Sequence, residues 1–174
     1  WAPGTAINYM IISFSDVLLM AAECETQLGN LDKAEEYVNR VRDRAANKSG
    51  WVYTYANSGN PLAGFSSTPA ANYFIKDYPV SLFAANGKDY ALKAIYFERK
   101  LELAMEGYRF FDLVRWGIAD TALNAYFGYE SKITTDLDIA NFTKGKNEYY
   151  PIPQSEIDLS TVNGKQILTQ NPGF

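Results

Sequence analysis

The stretch ERKLELAMEGYRFFDLVRW, residues 98–116, interleaves acids, bases and large apolar side chains at helical spacing. Glu98, Glu102 and Glu106 recur every four residues, so they fall roughly on one helix face, a turn apart. Arg99, Arg109 and Arg115 alternate with the acids at three-residue steps. The implied pairs are Arg99 with Glu102, Glu106 with Arg109, Arg109 with Asp112, and Asp112 with Arg115. Three readings compete: a catalytic carboxylate cluster, a ligand-binding face, or a helix that buries its own ion pairs. Glycosidases hold two carboxylates about 5 to 9 Å apart, so the spacing alone does not forbid catalysis. Those two carboxylates flank a scissile bond, however, and neighbours on one helix point the same way. A guanidinium beside a carboxylate lowers its pKa, whereas a general acid needs the opposite shift. The preferred reading is a structural ion-pair network of Glu98, Arg99, Glu102, Glu106, Arg109, Asp112 and Arg115, with no catalytic residue. Arginine suits it because its planar fork matches a carboxylate. Removing one member of a buried pair costs about 3 to 5 kcal/mol.

The helical period around this stretch defines a block of core helices, residues 89–127. Phe97, Leu101, Ala104, Tyr108 and Phe111 make one apolar stripe, and Tyr96, Leu103, Phe110 and Val114 a second. Two apolar faces predict a helix buried on most sides. Gly107 is either a tolerated glycine, at about 1 kcal/mol, or a break between two helices. Residues 119–127 allow another short helix. An irregular tail follows over 128–174. Pro151 and Pro153 disfavour helix before them, Ser155 offers a cap for one turn, and QNPGF ends turn-like.

Residues 13–46 predict a pair of helices. Ser13 with Asp16 suits a capping box. Val17, Met20, Ala21, Cys24 and Leu28 recur at helical spacing, and Gly29 is a stop. Leu31, Ala34, Val38, Val41 and Ala45 form the stripe of the second helix, with Ala21, Ala22 and Ala34 small enough for close approach. With its LGNLDKA turn, the pair looks like a tetratricopeptide repeat unit or an ordinary helical hairpin. A lone repeat does not bury both faces, so other members of an array are expected outside it. Residues 47–88 differ. They are dense in Gly, Ser, Asn and Pro yet carry Trp51, Tyr53, Tyr55, Phe65, Tyr73, Phe74, Tyr78 and Phe83. So aromatic a span is an ordered insertion rather than a disordered one, and WVYTY alternates like a short strand.

Composition narrows the chemistry. The 174 residues carry a net charge of −4 and no histidine. Ser-His-Asp and Cys-His catalysis and His-ligated zinc are excluded. No basic stripe is visible, so nucleic acid is not an expected partner. No cofactor and no metal site is expected. The single cysteine, Cys24, reads as a small core residue. No apolar run reaches the roughly 20 residues of a membrane span. The first residue is Trp1 rather than Met, and the sequence is expected to be part of a longer protein.

Three blocks carry a family resemblance: ISFSDVLLMAAECETQLGNLDKAEEYVNRVRDRA at 12–45, AIYFERKLELAMEGYRFFDLVRWG at 94–117, and YYPIPQSEIDLSTVNGKQILTQNPGF at 149–174. In this order they resemble the signatures of the SusD/RagB family. Met105 and Phe174 are small departures. The resemblance implies a mainly α fold: a tetratricopeptide-like helical hairpin packed on an irregular, loop-rich helical region. Residues 1–174 would form a single domain, the C-terminal part of a SusD-like protein. It also implies a Bacteroidetes outer-membrane lipoprotein at the cell surface, a binding protein and not an enzyme. Such a protein captures oligosaccharide, polysaccharide or other nutrient as the lid of a SusC-like TonB-dependent transporter. The lipid anchor belongs to an N-terminal part outside this sequence, and Cys24 is not the lipidated cysteine.

Family ligand contacts vary, so none is carried over. From the residues alone, the ligand-binding candidates are Trp51, Tyr53 and Tyr55 with Asn57 and Asn60. A sugar ring stacks its C–H face on an aromatic side chain while its hydroxyls bond to amides. The alternative is that these rings anchor the insertion to the core. Two other functions stay open: a helical scaffold for partner contact with no ligand affinity of its own and, more distantly, a glycoside hydrolase.

Overall fold

The computed structural model describes residues 11–174 and is mainly α-helical, with the chain forming two compact units, one ending at Ala104 and one running from Met105 to Phe174. The first unit holds α1 (Phe14–Leu28), α2 (Leu31–Ala46), the strands β1 (Tyr53–Tyr55) and β2 (Phe65–Pro69), α3 (Leu82–Asn86) and α4 (Lys88–Glu102).

Helices α1 and α2 form the expected hairpin. The Ser13 hydroxyl accepts from the Asp16 N–H at 3.2 Å. The Asp16 carboxylate does not reach back to complete a capping box; it turns inward to Arg99, 2.7 Å away. Gly29, at φ +88°, ends α1 in a Schellman arrangement: Asn30 N–H donates to Glu25 O at 2.9 Å and Gly29 N–H to Thr26 O at 3.2 Å. Helix α4 packs against both members of the pair, and α3 against α2 and α4. Their shared core is Leu18, Leu19, Ala22, Ala34, Val38, Val41, Phe83, Ala91, Ala94 and Ile95. Each large side chain fully buried there is worth about 1.5 to 3 kcal/mol.

The α2 stripe lies where its spacing predicts. The α1 stripe does not. Val17, Met20, Leu28 and Cys24 are exposed, and the buried face is Asp16, Leu19, Ala22 and Thr26 with Leu18. The core face is displaced by one residue, or about 100° of helix. Two polar residues occupy it because both are satisfied there, Asp16 by Arg99 and Thr26 by donating to Ala22 O at 2.8 Å. The periodicity of 98–116 likewise breaks earlier than a continuous helix predicts. Helix α4 stops at Glu102, and Met105 and Gly107 take positive φ of 68° and 84°. Gly107 therefore marks a break between helices. Phe97 and Leu101 are half exposed and Phe111 more so. The buried face of α4 is instead Ala91, Ala94, Ile95, Glu98 and Arg99.

A row of polar side chains on α2 fastens the end of the insertion. Glu35, Asn39 and Arg42 share one face of the helix, at successive turns. The Asn39 side chain pairs with both backbone groups of Tyr78, donating to its C=O at 3.0 Å and accepting from its N–H at 2.9 Å. The buried Glu35 carboxylate accepts from Ser81 N–H at 2.8 Å and Phe83 N–H at 2.9 Å. Ser81 has φ +62°, a strained value for a residue with a Cβ, and these two bonds hold it there. Arg42 lies over the Tyr78 ring, 4.8 Å from its centroid. The segment so held delivers Phe83 into the core, where Tyr78 and Tyr90 meet it edge-on.

In the second unit, α5 (Arg109–Arg115) and α6 (Ala119–Glu130) pack around Leu113, Ala119 and Phe142. A side-chain amide again fixes an extended residue: Asn124 donates to Phe142 O at 2.9 Å and accepts from Phe142 N–H at 2.7 Å. The tail forms α7 (Gln154–Leu159) and a hairpin of β3 (Thr161–Val162) and β4 (Lys165–Gln166). Gln170 pairs with both backbone groups of Ile152, at 2.7 and 2.8 Å.

Candidate functional site

The five candidate ligand residues fall around one hairpin. Strands β1 and β2 pair antiparallel, with Tyr53 opposite Pro69, Tyr55 opposite Phe65, and a bulge between. The rings at its base face the helices. Trp51 stacks on Tyr73 with centroids 4.7 Å apart, and its indole N–H donates to Ala45 O at 3.0 Å. That carbonyl lies at the end of α2, where no intrahelical donor remains, so the indole supplies one. The Tyr53 hydroxyl donates to Lys48 O at 2.9 Å.

The tip is different. Tyr55 stacks on Phe65, with centroids 5.5 Å apart and planes 16° from parallel, and both rings are more than half exposed. Asn57 and Asn60 shape the connection: their side-chain carbonyls accept from Gly59 N–H at 2.9 Å and Leu62 N–H at 3.2 Å. Their amide N–H₂ groups have no partner among the described residues and face solvent. The hairpin thus brings Tyr55, Asn57 and Asn60 together on an exposed tip, with Trp51 and Tyr53 at its foot. Spacing and residue type alone do not mark Phe65 as the partner of Tyr55. Its signal was the second half of the hairpin, which the alternation of WVYTY required but did not locate.

The charged residues pair between helices more than along one. Arg99 meets Asp16 of α1, with both side chains about 95% buried. Glu98 takes Arg42 of α2 at 2.7 Å. Glu102 takes Arg44 of α2 at 2.6 and 2.8 Å, an exposed pair worth about 1 kcal/mol or less. Of the expected i,i+3 pairs the structure gives Asp112 with Arg115, at 2.9 Å. Arg109 instead lies over the Trp116 ring, 5.8 Å from its centroid, and Glu106 is exposed beyond the end of α4.

Glu98 departs from expectation in one further respect. Burial pushes its carboxyl above the usual range and outweighs Arg42, which pulls it down; Glu102 adds a smaller upward push. The guanidinium was expected to win. It loses because the side chain is only 8% exposed, and desolvation falls on the charged form. A raised carboxyl is a property of general acids, but this one faces an arginine inside the helical packing, not a cleft.

The sequence profile of the SusD family matches residues 2–174. The chain belongs to the SusD family. It is 31% identical over 170 residues to SusD-like protein P25 of Formosa agariphila, covering 94% of this chain and 24% of that protein. It is 25% identical over 171 residues to SusD-like protein P2 of the same organism, covering 98% of this chain and 26% of that protein. The chain therefore spans about a quarter of the length of the curated relatives it matches. Among the described residues, no helix of this SusD-family chain is long and apolar enough to cross a membrane.

Two outcomes follow from the ion pairs. In chemical denaturation, Arg99→Ala should lower stability by about 3 to 5 kcal/mol because it strands a buried carboxylate. Arg109→Ala, which loses an exposed ring contact, should lower it by about 1 kcal/mol or less. Glu98 carries a pH signature. A folded-state pKa above the unfolded one contributes stability at low pH that is lost as pH rises through the raised value. The stability of Glu98→Gln relative to the natural protein should therefore climb with pH across that interval. A flat or falling difference in urea titrations at several pH values would contradict the assignment.

Proposed function

We propose that the protein carrying this chain captures oligosaccharide or polysaccharide at the outer-membrane surface, to which it is lipid-anchored, and performs no chemistry on it. In this reading it serves as the lid and delivery partner of a SusC-like TonB-dependent transporter. Membership of the SusD family supports glycan binding as the broad role. The observation that carries the site is the solvent-facing Tyr55–Phe65 stack. Two parallel rings at the tip of a hairpin offer a flat apolar surface of the kind on which the C–H face of a sugar rests. The free amide groups of Asn57 and Asn60 stand beside it as donors to hydroxyls. Trp51 and Tyr53 are then loop anchors rather than ligand contacts, since each already bonds to backbone, Trp51 at the end of α2 and Tyr53 to Lys48 just beyond it.

A second reading has its own support. Phe14, Val17 and Met20 on α1 and Phe97 and Leu101 on α4 are exposed apolar residues at helical spacing. Such faces suit a scaffold that contacts other protein segments and has no ligand affinity of its own. Glycoside hydrolysis gains nothing from Glu98 and Glu102, which lie one turn apart on a single helix, each facing an arginine.

Calorimetric titration of the full-length protein with oligosaccharides separates these readings. Tyr55→Ala combined with Phe65→Ala should weaken glycan binding about tenfold or more, the equivalent of losing one well-stacked ring contact, with the circular dichroism spectrum unchanged. Undiminished affinity would move the site off this hairpin. Failure of the natural protein to bind any glycan would favour the scaffold.

A further inference from the structure

The sequence contains two Asn–Gly dipeptides, Asn86–Gly87 and Asn163–Gly164. In this dipeptide the side-chain amide carbon of asparagine is unusually open to the backbone nitrogen that follows, because glycine has no Cβ to shield it. Both pairs are equivalent as sequence. The fold separates them.

Asn86 closes α3, and both reacting groups are engaged. Its Nδ2 donates to Leu82 O at 2.8 Å, and Gly87 N–H donates to Phe83 O at 2.8 Å. Phe83 is itself fully buried and held by Glu35, so the bond that engages the Gly87 nitrogen does not open without loosening the core. Asn163 occupies the opposite situation. It sits at the tip of the β3–β4 hairpin, with Val162 opposite Lys165. Asn163 has φ +52° and Gly164 φ +76°, both positive, as the two central positions of a type I′ turn demand. Both residues are exposed, and the space beside Gly164 is open. Neither the Asn163 amide nor the Gly164 N–H has a hydrogen-bond partner among the described residues.

We infer that Asn163 is a site of spontaneous deamidation, with the backbone nitrogen of Gly164 as the attacking group, and that the fold slows the same reaction at Asn86. The Gly164 nitrogen loses its proton to solvent base and forms a bond to Cγ of Asn163. The Cγ–Nδ2 bond breaks, and ammonia leaves carrying the proton. Water then adds across one of the two C–N bonds of the cyclic imide, giving aspartate or isoaspartate. No oxidant or reductant enters. Either product adds a negative charge to the tip. Isoaspartate also lengthens the main chain by one carbon, so the two-residue turn no longer matches its strands. The contacts next to it would loosen: Gln166 to Ile157 O at 3.2 Å and Leu168 N–H to the Ser160 hydroxyl at 3.0 Å.

The test is a timed incubation of the native full-length protein at mildly alkaline pH, followed by peptide mass spectrometry. The expected result is a gain of one mass unit with loss of ammonia at 163, accelerating with pH and absent in Asn163→Gln. Asn86 should convert about tenfold more slowly or less, because it waits for local opening of the structure, and should catch up when the same incubation is run in denaturant. Equal rates at the two sites in the native protein, or faster conversion at Asn86, would overturn the inference. So would a native protein inert at both sites that converts at both only when unfolded, since the turn would then be holding Asn163 out of reach of Gly164.

Discussion

The irregular half of the first unit depends on one row of polar side chains along α2. An insertion without a full sheet leaves extended backbone whose N–H and C=O groups need partners wherever they leave water. Glu35, Asn39 and Arg42 supply them from successive turns of a helix, Arg42 by donating from Nε to Lys76 O. Asn39 acts on Tyr78 as a neighbouring strand would, giving one donor and one acceptor. Glu35 fixes Ser81 in a backbone conformation that it would otherwise leave, and so aims Phe83 into the core. The second unit repeats the device with Asn124 on Phe142 and Gln170 on Ile152. Primary amides suit this role because each offers a donor and an acceptor at about the spacing of a peptide group.

The same row joins the charged helix. Arg42 leaves α2 beside Asn39, covers Tyr78 and ends at Glu98, so the insertion, α2 and α4 share one cation. With Arg99 reaching Asp16 and Arg44 reaching Glu102, the acids and bases of α4 bind helix to helix. That is why regularly spaced glutamates yield no pair of carboxylates across a cleft. Glu98 and Glu102 are turned toward α2 by its arginines, and Glu106 falls past the end of the helix. The proposed ligand surface, the Tyr55–Phe65 stack, lies instead on the hairpin of the insertion.

Much of the architecture was legible in the sequence, for identifiable reasons. The α2 stripe, the Gly29 stop and the extended YYPIP segment are set by local rules of periodicity, positive φ and proline. The core face of α1 was misplaced because its apolar residues run round the helix, while two of the buried positions are polar and satisfied only by tertiary partners. The strap from 76 to 83 left no local trace, since Glu35, Asn39 and Arg42 look like any solvent-facing residues of an amphipathic helix. The ion pairs were visible as a set but not as pairs: spacing shows which residues neighbour each other on one helix and is silent about Arg42, Arg44 and Asp16. The β3–β4 hairpin was missed: the tail reads as irregular, although Asn163–Gly164 is a strong two-residue turn signal. At the candidate site, Tyr55, Asn57 and Asn60 stood out by residue type, whereas Phe65 needed the strand register.

Backbone hydrogen exchange in Asn39→Ala tests the central claim most directly, because it removes the middle clasp and leaves the apolar core intact. The N–H groups of Tyr78, Ser81 and Phe83 should be protected in the natural protein, and in the variant all three should lose protection while the core of α1 and α4 keeps its own. Exchange of Tyr78 alone, with Ser81 and Phe83 unmoved, would contradict a single row of side chains acting on the strap as one unit. So would a natural protein in which all three exchange as fast as an open loop.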